Sequence, residues 1–250
     1  MSGHSKWASI KHKKAAADAK RGAAFTKIIR EITAAAKAGG GDPNKNPRLR
    51  TAMDRAKIIN MPANNIDNAV KKGTGELPGI VYENFTFDAY GPGGVAMLLE
   101  GLTDNKNRTT AEIRNLLTKK NGNMASPGST SFLFSKKGFI AIEKDKISEE
   151  ALMETVLDAG AEDIGTEGKH YDITTSLESF EAVKKAVEEK NIPTVTCEVT
   201  MMPSSYVKIV GDQAQQLLEL MDALEEHEDI QNVYANFDIP DEEMDKLSQG

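Results

Sequence analysis

Residues 139–201 read FIAIEKDKISEEALMETVLDAGAEDIGTEGKHYDITTSLESFEAVKKAVEEKNIPTVTCEVTM, and this stretch decides the fold. Phe139 to Ile142 is a short apolar run with strand character. Ser148 then caps a helix that carries Leu152, Val156 and Ala159 on one face and stops at Gly160. Asp163 to Thr166 and Tyr171 to Thr174 pair as a hairpin around Glu167-Gly168. Thr175 to Glu178 has capping-box spacing, and Phe180, Val183 and Val187 follow at helical intervals. Val195 to Met201 closes the unit as a strand. The order βαββαβ is that of a split-βαβ, ferredoxin-like unit.

The flanking segments do not close a core separately. On the N-terminal side, Val81, Phe85, Phe87 and Tyr90 form a strand-like run. Gly91-Pro92-Gly93-Gly94 is a tight turn, Val95 to Leu102 a second strand, and Arg108 to Lys120 a helix with Ile113, Leu116 and Leu117 inward. On the C-terminal side, Tyr206 to Val210 reads as a strand. Asp212 caps a helix bearing Leu217, Leu218, Met221 and Leu224, and Val233 to Phe237 is a last strand. The economical arrangement joins both flanks into one discontinuous domain, residues 76–137 plus 203–240, with residues 138–202 inserted. Residues 241–250 form an acidic tail.

The first 75 residues have a different character. Gly22 to Gly39 carries Phe25, Ile28, Ile29, Ile32 and Ala36 in an amphipathic stripe. Asn46-Pro47 starts a second helix, with Asn46 as N-cap and Pro47 in the first turn. A third helix carries Ile66, Ala69 and Val70 and ends at Lys71-Lys72-Gly73, with the glycine as C-cap. The predicted class is α+β with three domains: a small basic helical N-terminal domain and two ferredoxin-like α/β domains, one inside the other.

Charge separates these parts sharply. Met1 to Lys72 holds 16 Lys and Arg against 5 Asp and Glu, a net +11, while the remainder of the chain carries −18. The whole-chain charge of −7 conceals this cationic module. A compact positive block attracts polyanions, and nucleic acid is the default polyanion.

Four segments taken together resemble the YebC family of bacterial regulators, which includes a mitochondrial translational activator of cytochrome c oxidase subunit I. They are Gly3-His4-Ser5-Lys6-Trp7 with Ile10-Lys11-His12-Lys13-Lys14, Asn46-Pro47-Arg48-Leu49-Arg50, Tyr90-Gly91-Pro92-Gly93-Gly94-Val95-Ala96, and Thr103-Asp104-Asn105-Lys106-Asn107-Arg108-Thr109. Asn232-Val233-Tyr234-Ala235-Asn236-Phe237 also matches. The resemblance runs in order along almost the whole chain. It implies three domains and no catalytic site. It also implies a regulator of gene expression, acting on DNA in transcription or at the ribosome in translation.

The residues themselves give candidates for the contact. Lys6, Trp7, Lys11, His12, Lys13, Lys14, Lys20 and Arg21 lie on a basic arm. Its cations neutralise phosphates, and its indole offers a face to an unpaired base. The arm holds few local carboxylates that could pair with these cations. Lys27, Arg30, Arg48 and Arg50 extend the basic surface onto folded helices, where guanidinium forks suit phosphate oxygens. Arg55 and Lys57 are weaker candidates, with Asp54 as their close pairing partner. Glu225, Glu226, Glu228 and Asp229 read as a solvated acidic face.

Other chemistries lack residues. Gly91-Pro92-Gly93-Gly94 joins two strands and has no following Lys-Ser or Lys-Thr, so it is a hairpin turn and not a phosphate loop. Asp104 to Arg108 is first a helix cap. His4, His12, His170 and His227 show no metal-ligand spacing, and Cys197 is the only cysteine. No cofactor or metal is expected. No apolar run is long enough to span a bilayer, and the first residues lack an apolar signal core. The expectation is a cytoplasmic, monomeric, non-enzymatic protein. It binds ribosomal or transfer RNA, with promoter DNA as the alternative and RNA processing as a third reading. Two features favour structured RNA in the ribosome. No recognition helix follows a helix-turn-helix turn, and a basic arm with an aromatic suits crevices with unpaired bases.

Overall fold

The computed structural model describes residues 18–240 together with 242 and 243. Three helices come first: α1 (Asp18–Gly39), α2 (Pro47–Ile58) and α3 (Ala63–Thr74). Their apolar faces meet in one core containing Ile32, Leu49, Ala52, Ala56, Met61, Ile66 and Ala69. Asn46 does more than the expected capping. Its Oδ1 accepts the Leu49 amide at 3.1 Å, while its Nδ2 donates to the Ala35 and Gly40 carbonyls at 2.8 and 2.9 Å. One buried amide thus fixes the α1–α2 corner.

The end of α3 corrects the glycine reading. The helix continues through Gly73 to Thr74, and Gly75, at φ +86°, takes the left-handed position beyond it. Gly73 serves packing instead. A Cβ there would lie 2.5 Å from the Thr33 carbonyl oxygen and 2.7 Å from the Ala36 Cβ. Its missing side chain lets α3 approach α1.

The outer α/β domain starts with β1 (Glu83–Tyr90), a short 3-10 turn over Pro92–Gly94, and β2 (Ala96–Thr103). These strands pair antiparallel from Glu83↔Thr103 to Tyr90↔Ala96. Val81 falls outside the strand and is exposed. Next come α4 (Lys106–Lys119), β3 (Asn123–Met124) and, after the insertion, β8 (Val207–Lys208), α7 (Gly211–Glu226), β9 (Ile230–Ala235) and β10 (Phe237–Asp238). The main sheet has the order β3-β1-β2-β9. Helices α4 and α7 bury Ile113, Leu117, Leu217, Leu220 and Leu224 with Phe85, Met97 and Leu99 of the sheet.

Strand β8 departs from the simple plan. It pairs in parallel with β10, outside the main sheet. The start of α7 differs too: Asp212 lies in the first turn, the N-cap is Val210, and the Gly211 amide donates to Glu243 Oε1 at 2.8 Å. A carboxylate distant in sequence satisfies that helix end.

The inserted unit comprises β4 (Phe134–Glu143), α5 (Glu149–Leu157), β5 (Ala161–Gly165), β6 (His170–Thr175), α6 (Phe180–Glu189) and β7 (Thr196–Pro203). Its sheet order is β5-β6-β4-β7, with every adjacent pair antiparallel. This is the order of a split-βαβ unit, with the first and third strands central. Ile140, Ile142, Leu152, Val156, Ile173, Val183 and Val187 form its core. The expected Thr175–Glu178 capping box is not formed. Ser176 Oγ accepts the Ser179 amide at 3.1 Å, while the buried Thr175 donates to the Ser176 carbonyl at 2.9 Å. Strand β4 also begins five residues before Phe139. Its first residue, Phe134, packs with Ala96 and Leu98 of the outer sheet and so roots the insertion.

Candidate nucleic-acid interface

Lys6, Trp7, Lys11, His12, Lys13 and Lys14 lie outside the described residues. Lys20 and Arg21 belong to α1 by backbone, and their side chains lie outside the description. Four candidates have described side chains: Lys27, Arg30, Arg48 and Arg50.

Arg48 and Arg50 stand on the outer face of α2, on either side of the buried Leu49. The apolar anchor turns inward and its two neighbours turn to solvent, as helical geometry requires. Arg48 Nη2 donates to Asn84 Oδ1 at 3.0 Å, an exposed neutral contact across the domain boundary. Arg50 makes no ion pair among the described residues. Both guanidiniums therefore keep their charge uncompensated at the surface. Lys45, with its side chain 85% exposed, stands just before them, 4.0 Å from Asp42. Lys71 and Lys72, exposed in the last turn of α3, add two more cations.

The weaker pair behaves differently. Lys57 bonds Asp54 at 2.9 Å, the intrahelical pairing anticipated for it. Arg55 reaches past Asp54 to Glu31 of α1, at 3.2 Å.

Lys27 and Arg30 do not present free cations. Lys27 Nζ donates to the Glu225 carbonyl at the C-terminal end of α7. Arg30 Nη2 pairs with Glu228 at 2.9 Å, and its Nη1 pairs with Asp229. The guanidinium also lies 5.6 Å from the ring centroid of Tyr82, a distance suited to a cation–π contact. These groups lie off the apolar stripe of α1, as the pattern predicted. They face the acidic corner of the outer domain and not open solvent.

The acidic run itself is therefore more than a solvated face. Glu226 and Glu228 are exposed, but the Asp229 side chain is only 1% exposed. Asp229 Oδ2 accepts Arg108 Nη2 at 2.9 Å and the Thr109 hydroxyl at 2.6 Å, while Arg30 bonds Oδ1. Burial pushes the Asp229 carboxyl upward. The Thr109 and Arg108 hydrogen bonds and the Arg30 charge outweigh that and hold it below the ordinary carboxylate range. Gly101 makes room for the corner, since a side chain there would strike the Asp229 carbonyl and the Phe85 ring. That carbonyl accepts the Leu102 amide at 2.8 Å.

The segment Asp104 to Arg108 caps α4 as expected: Asn105 Oδ1 accepts the Arg108 amide at 3.1 Å. The Arg108 side chain bridges Asp104 and Asp229, and Lys106 remains exposed. Asp229 was not separable from its acidic neighbours by pattern. The available signal was the polar pair Arg108-Thr109, whose partner the sequence does not name.

A second buried carboxylate also escaped sequence reading. Asp88 accepts the Gly128, Thr130 and Ser131 amides at 3.1, 2.8 and 2.6 Å, and the Thr130 hydroxyl at 2.8 Å. It fixes the loop that leads into β4. Burial raises the pKa of Asp88, but the Thr130, Ser131 and Gly128 bonds bring it below the ordinary value.

Among the described residues, no group of three or more His, Cys, Asp or Glu could hold a metal ion. No described helix is long and apolar enough to cross a membrane.

Comparison with known proteins agrees with this architecture. Residues 5–76 match the family model described as the TACO1/YebC protein N-terminal domain. Residues 82–237 match the model for the TACO1/YebC second and third domain. A probable transcriptional regulatory protein of Geobacter sulfurreducens is 55% identical over 247 residues, covering 99% of this chain and all of that one. One of the same description from Treponema denticola is 53% identical, covering 96% of this chain and 98% of the relative. The crystal structure of a conserved hypothetical protein from Aquifex aeolicus superposes with a TM-score of 0.78 at 45% identity, covering 93% of this chain and 96% of that one. Two family models that together cover most of the chain, and relatives that match it nearly end to end, make this protein a member of the TACO1/YebC family.

Proposed function

We propose that this protein is a non-enzymatic, cytoplasmic regulator of gene expression that binds structured RNA at the ribosome through its N-terminal helical domain. The observation that carries this reading is the pair Arg48 and Arg50. A capped helix holds both outward beside Lys45, with no compensating carboxylate for either guanidinium among the described residues. Their setting is the segment of net +11 on an otherwise acidic chain. The cations supply phosphate contacts, and such contacts position a protein without reading sequence. Helices α2 and α3 meet across the tight Ile59–Pro62 turn, but α3 is held close against α1 at Gly73. That packing, with α3 bearing a mixed Asn and Lys face, suits shape recognition of RNA better than insertion of a recognition helix into a DNA groove.

A second reading is a DNA-binding transcriptional regulator. The description carried by the Geobacter and Treponema relatives favours it. It requires a promoter duplex bound far more tightly than unrelated DNA.

Crosslinking in cells, followed by sequencing of the bound nucleic acid and sedimentation against ribosomes, separates the two. The expected result is ribosomal or transfer RNA, with the protein sedimenting beside ribosomal particles. Recovery of promoter DNA alone would overturn the RNA reading in favour of the second. Removing Met1 to Lys20 should weaken binding and flatten its salt dependence by about 0.7–0.9 logarithmic units per lost phosphate contact.

A further inference from the structure

The helical domain and the outer domain share no hydrophobic cluster among the described residues. The helical core draws only on residues from Phe25 to Val70, and the outer core on residues from Phe85 to Ile239. Among the described residues, the contacts recorded between them, besides the connecting segment, are polar. Lys27 meets the Glu225 carbonyl, Arg30 meets Glu228 and Asp229, and Arg48 meets Asn84. An apolar interface cannot be exchanged for a polyanion. An interface of cations on carboxylates and a helix C-terminus can, because phosphate oxygens offer the same partners.

We propose that the acidic corner Glu225–Asp229 is an autoinhibitory latch for the basic domain. It occupies, within the chain, the cations Lys27 and Arg30 that nucleic-acid phosphates would otherwise take. Binding of nucleic acid exchanges one set of anions for the other and frees the helical domain to turn on residues 75–82. This inference rests on the nucleic-acid reading above.

The corner has the construction that such a device needs. Asp229 is fixed from behind by Thr109 and Arg108, so it stays in place when Arg30 leaves. Arg108 can remain paired with it, which avoids stranding a buried carboxylate. Glu228 is 68% exposed and has Arg30 as its ion-pair partner, so it contributes to holding the helix and little else. Arg30 is the shared element: its side chain is 12% exposed while latched, and its Nε has no partner among the described residues. A phosphate could engage that Nε together with one Nη.

The test uses the full chain and a 20-base-pair RNA duplex. Glu228→Gln removes the exposed arm of the latch. Glu226→Gln removes the same charge from the same corner, but the Glu226 side chain makes no hydrogen bond or ion pair among the described residues. Glu228→Gln should bind the duplex about two- to fivefold more tightly than Glu226→Gln, the range expected from one exposed ion pair. Spin labels at Ala38→Cys and Asp212→Cys, both exposed and outside the cationic surface, in a Cys197→Ser background, report the domain separation. Their distance distribution should broaden in Glu228→Gln without RNA, and in the otherwise unchanged protein when RNA is added. Equal affinities of the two variants with unchanged distances would overturn the latch. If the unmodified protein fails to bind RNA or DNA, the nucleic-acid reading fails instead. The distances in Glu228→Gln alone would then still decide whether the corner restrains the domain.

Discussion

Arg108 Nη2 lies 2.9 Å from Oδ2 of Asp229, and through this contact helix α4 holds the turn that precedes β9. Asp229 is nearly inaccessible, so its charge depends wholly on protein partners. Removing it leaves two arginines facing a void, although Glu228, Asp104 and Glu112 remain near them. Breaking a buried pair from one side costs about 3–5 kcal/mol, and the surviving carboxylates place this case at the lower end. Asp229→Ala should therefore destabilise the chain by about 3 kcal/mol in urea unfolding. Arg108→Ala, at a half-exposed position, should cost much less. Equal losses would mean that the carboxylate is not the hub.

Acid should unfold the protein through the same group and through Asp88. Both have folded pKa values below the unfolded value of about 3.9. The ionised form therefore stabilises the fold above that value, and the contribution is lost as pH falls through the lowered folded value. Stability followed by denaturant titration should be flat from neutral pH to about 5 and fall steeply below about 4. Asp88→Asn should make that fall shallower, at the cost of lower stability at neutral pH. An unchanged slope would show that Asp88 is not one of the titrating groups.

The contrast between Asp88 and Asn46 shows what a sequence can reveal. Asn46 stands directly before Pro47 at a helix start, so its capping role follows from local chemistry and was legible. The same holds for the inserted βαββαβ order, where each strand and helix has its own apolar period. Asp88 bonds a loop some 40 residues later, and Asp229 bonds α1 nearly 200 residues earlier. No local pattern marks such partners. The Gly73 reading failed for the same reason: a glycine after two lysines looks like a helix end, and only the position of α1 reveals it as a contact point. The pairing of β8 with β10 was likewise hidden, because two-residue strands carry no periodicity. Surface cations show the limit on the functional side. Arg30 and Arg48 are equivalent in the sequence, yet one meets carboxylates and the other meets solvent and one amide oxygen.

Two glycines in helices should respond in opposite directions to alanine. A Cβ on Gly22 in α1 would meet nothing within 4 Å among the described residues, so Gly22→Ala should gain up to about 1 kcal/mol of helix propensity. Gly73 in α3 would gain the same propensity. Its Cβ, however, would press on the Thr33 carbonyl and the Ala36 methyl, both part of the α1 wall. Overpacking of this kind costs about 1–3 kcal/mol, so the clash wins and Gly73→Ala should destabilise. Thermal melting of the two variants gives the signs directly. A stabilised Gly73→Ala would mean that α3 can move away from α1 without loss.

Arg50 offers the cleanest separation of binding from folding. It is exposed and has no ion pair among the described residues, so Arg50→Gln should change stability by less than about 0.5 kcal/mol. If it contacts a phosphate, the variant should bind RNA more weakly, and the slope of log affinity against log salt should fall by about 0.7–0.9. The loss should be similar for unrelated RNA sequences, because phosphate contacts carry no base information. Arg48→Gln should behave alike, with a small added effect from losing the bond to Asn84. Lys57→Gln is the internal control: its ammonium already pairs with Asp54, so its slope should change less. Affinities measured over a salt series for the three variants decide the matter. Slopes unchanged from the unsubstituted protein in all three would mean that α2 lies outside the bound surface. A loss confined to one RNA sequence would mean that Arg50 reads a base and not the backbone.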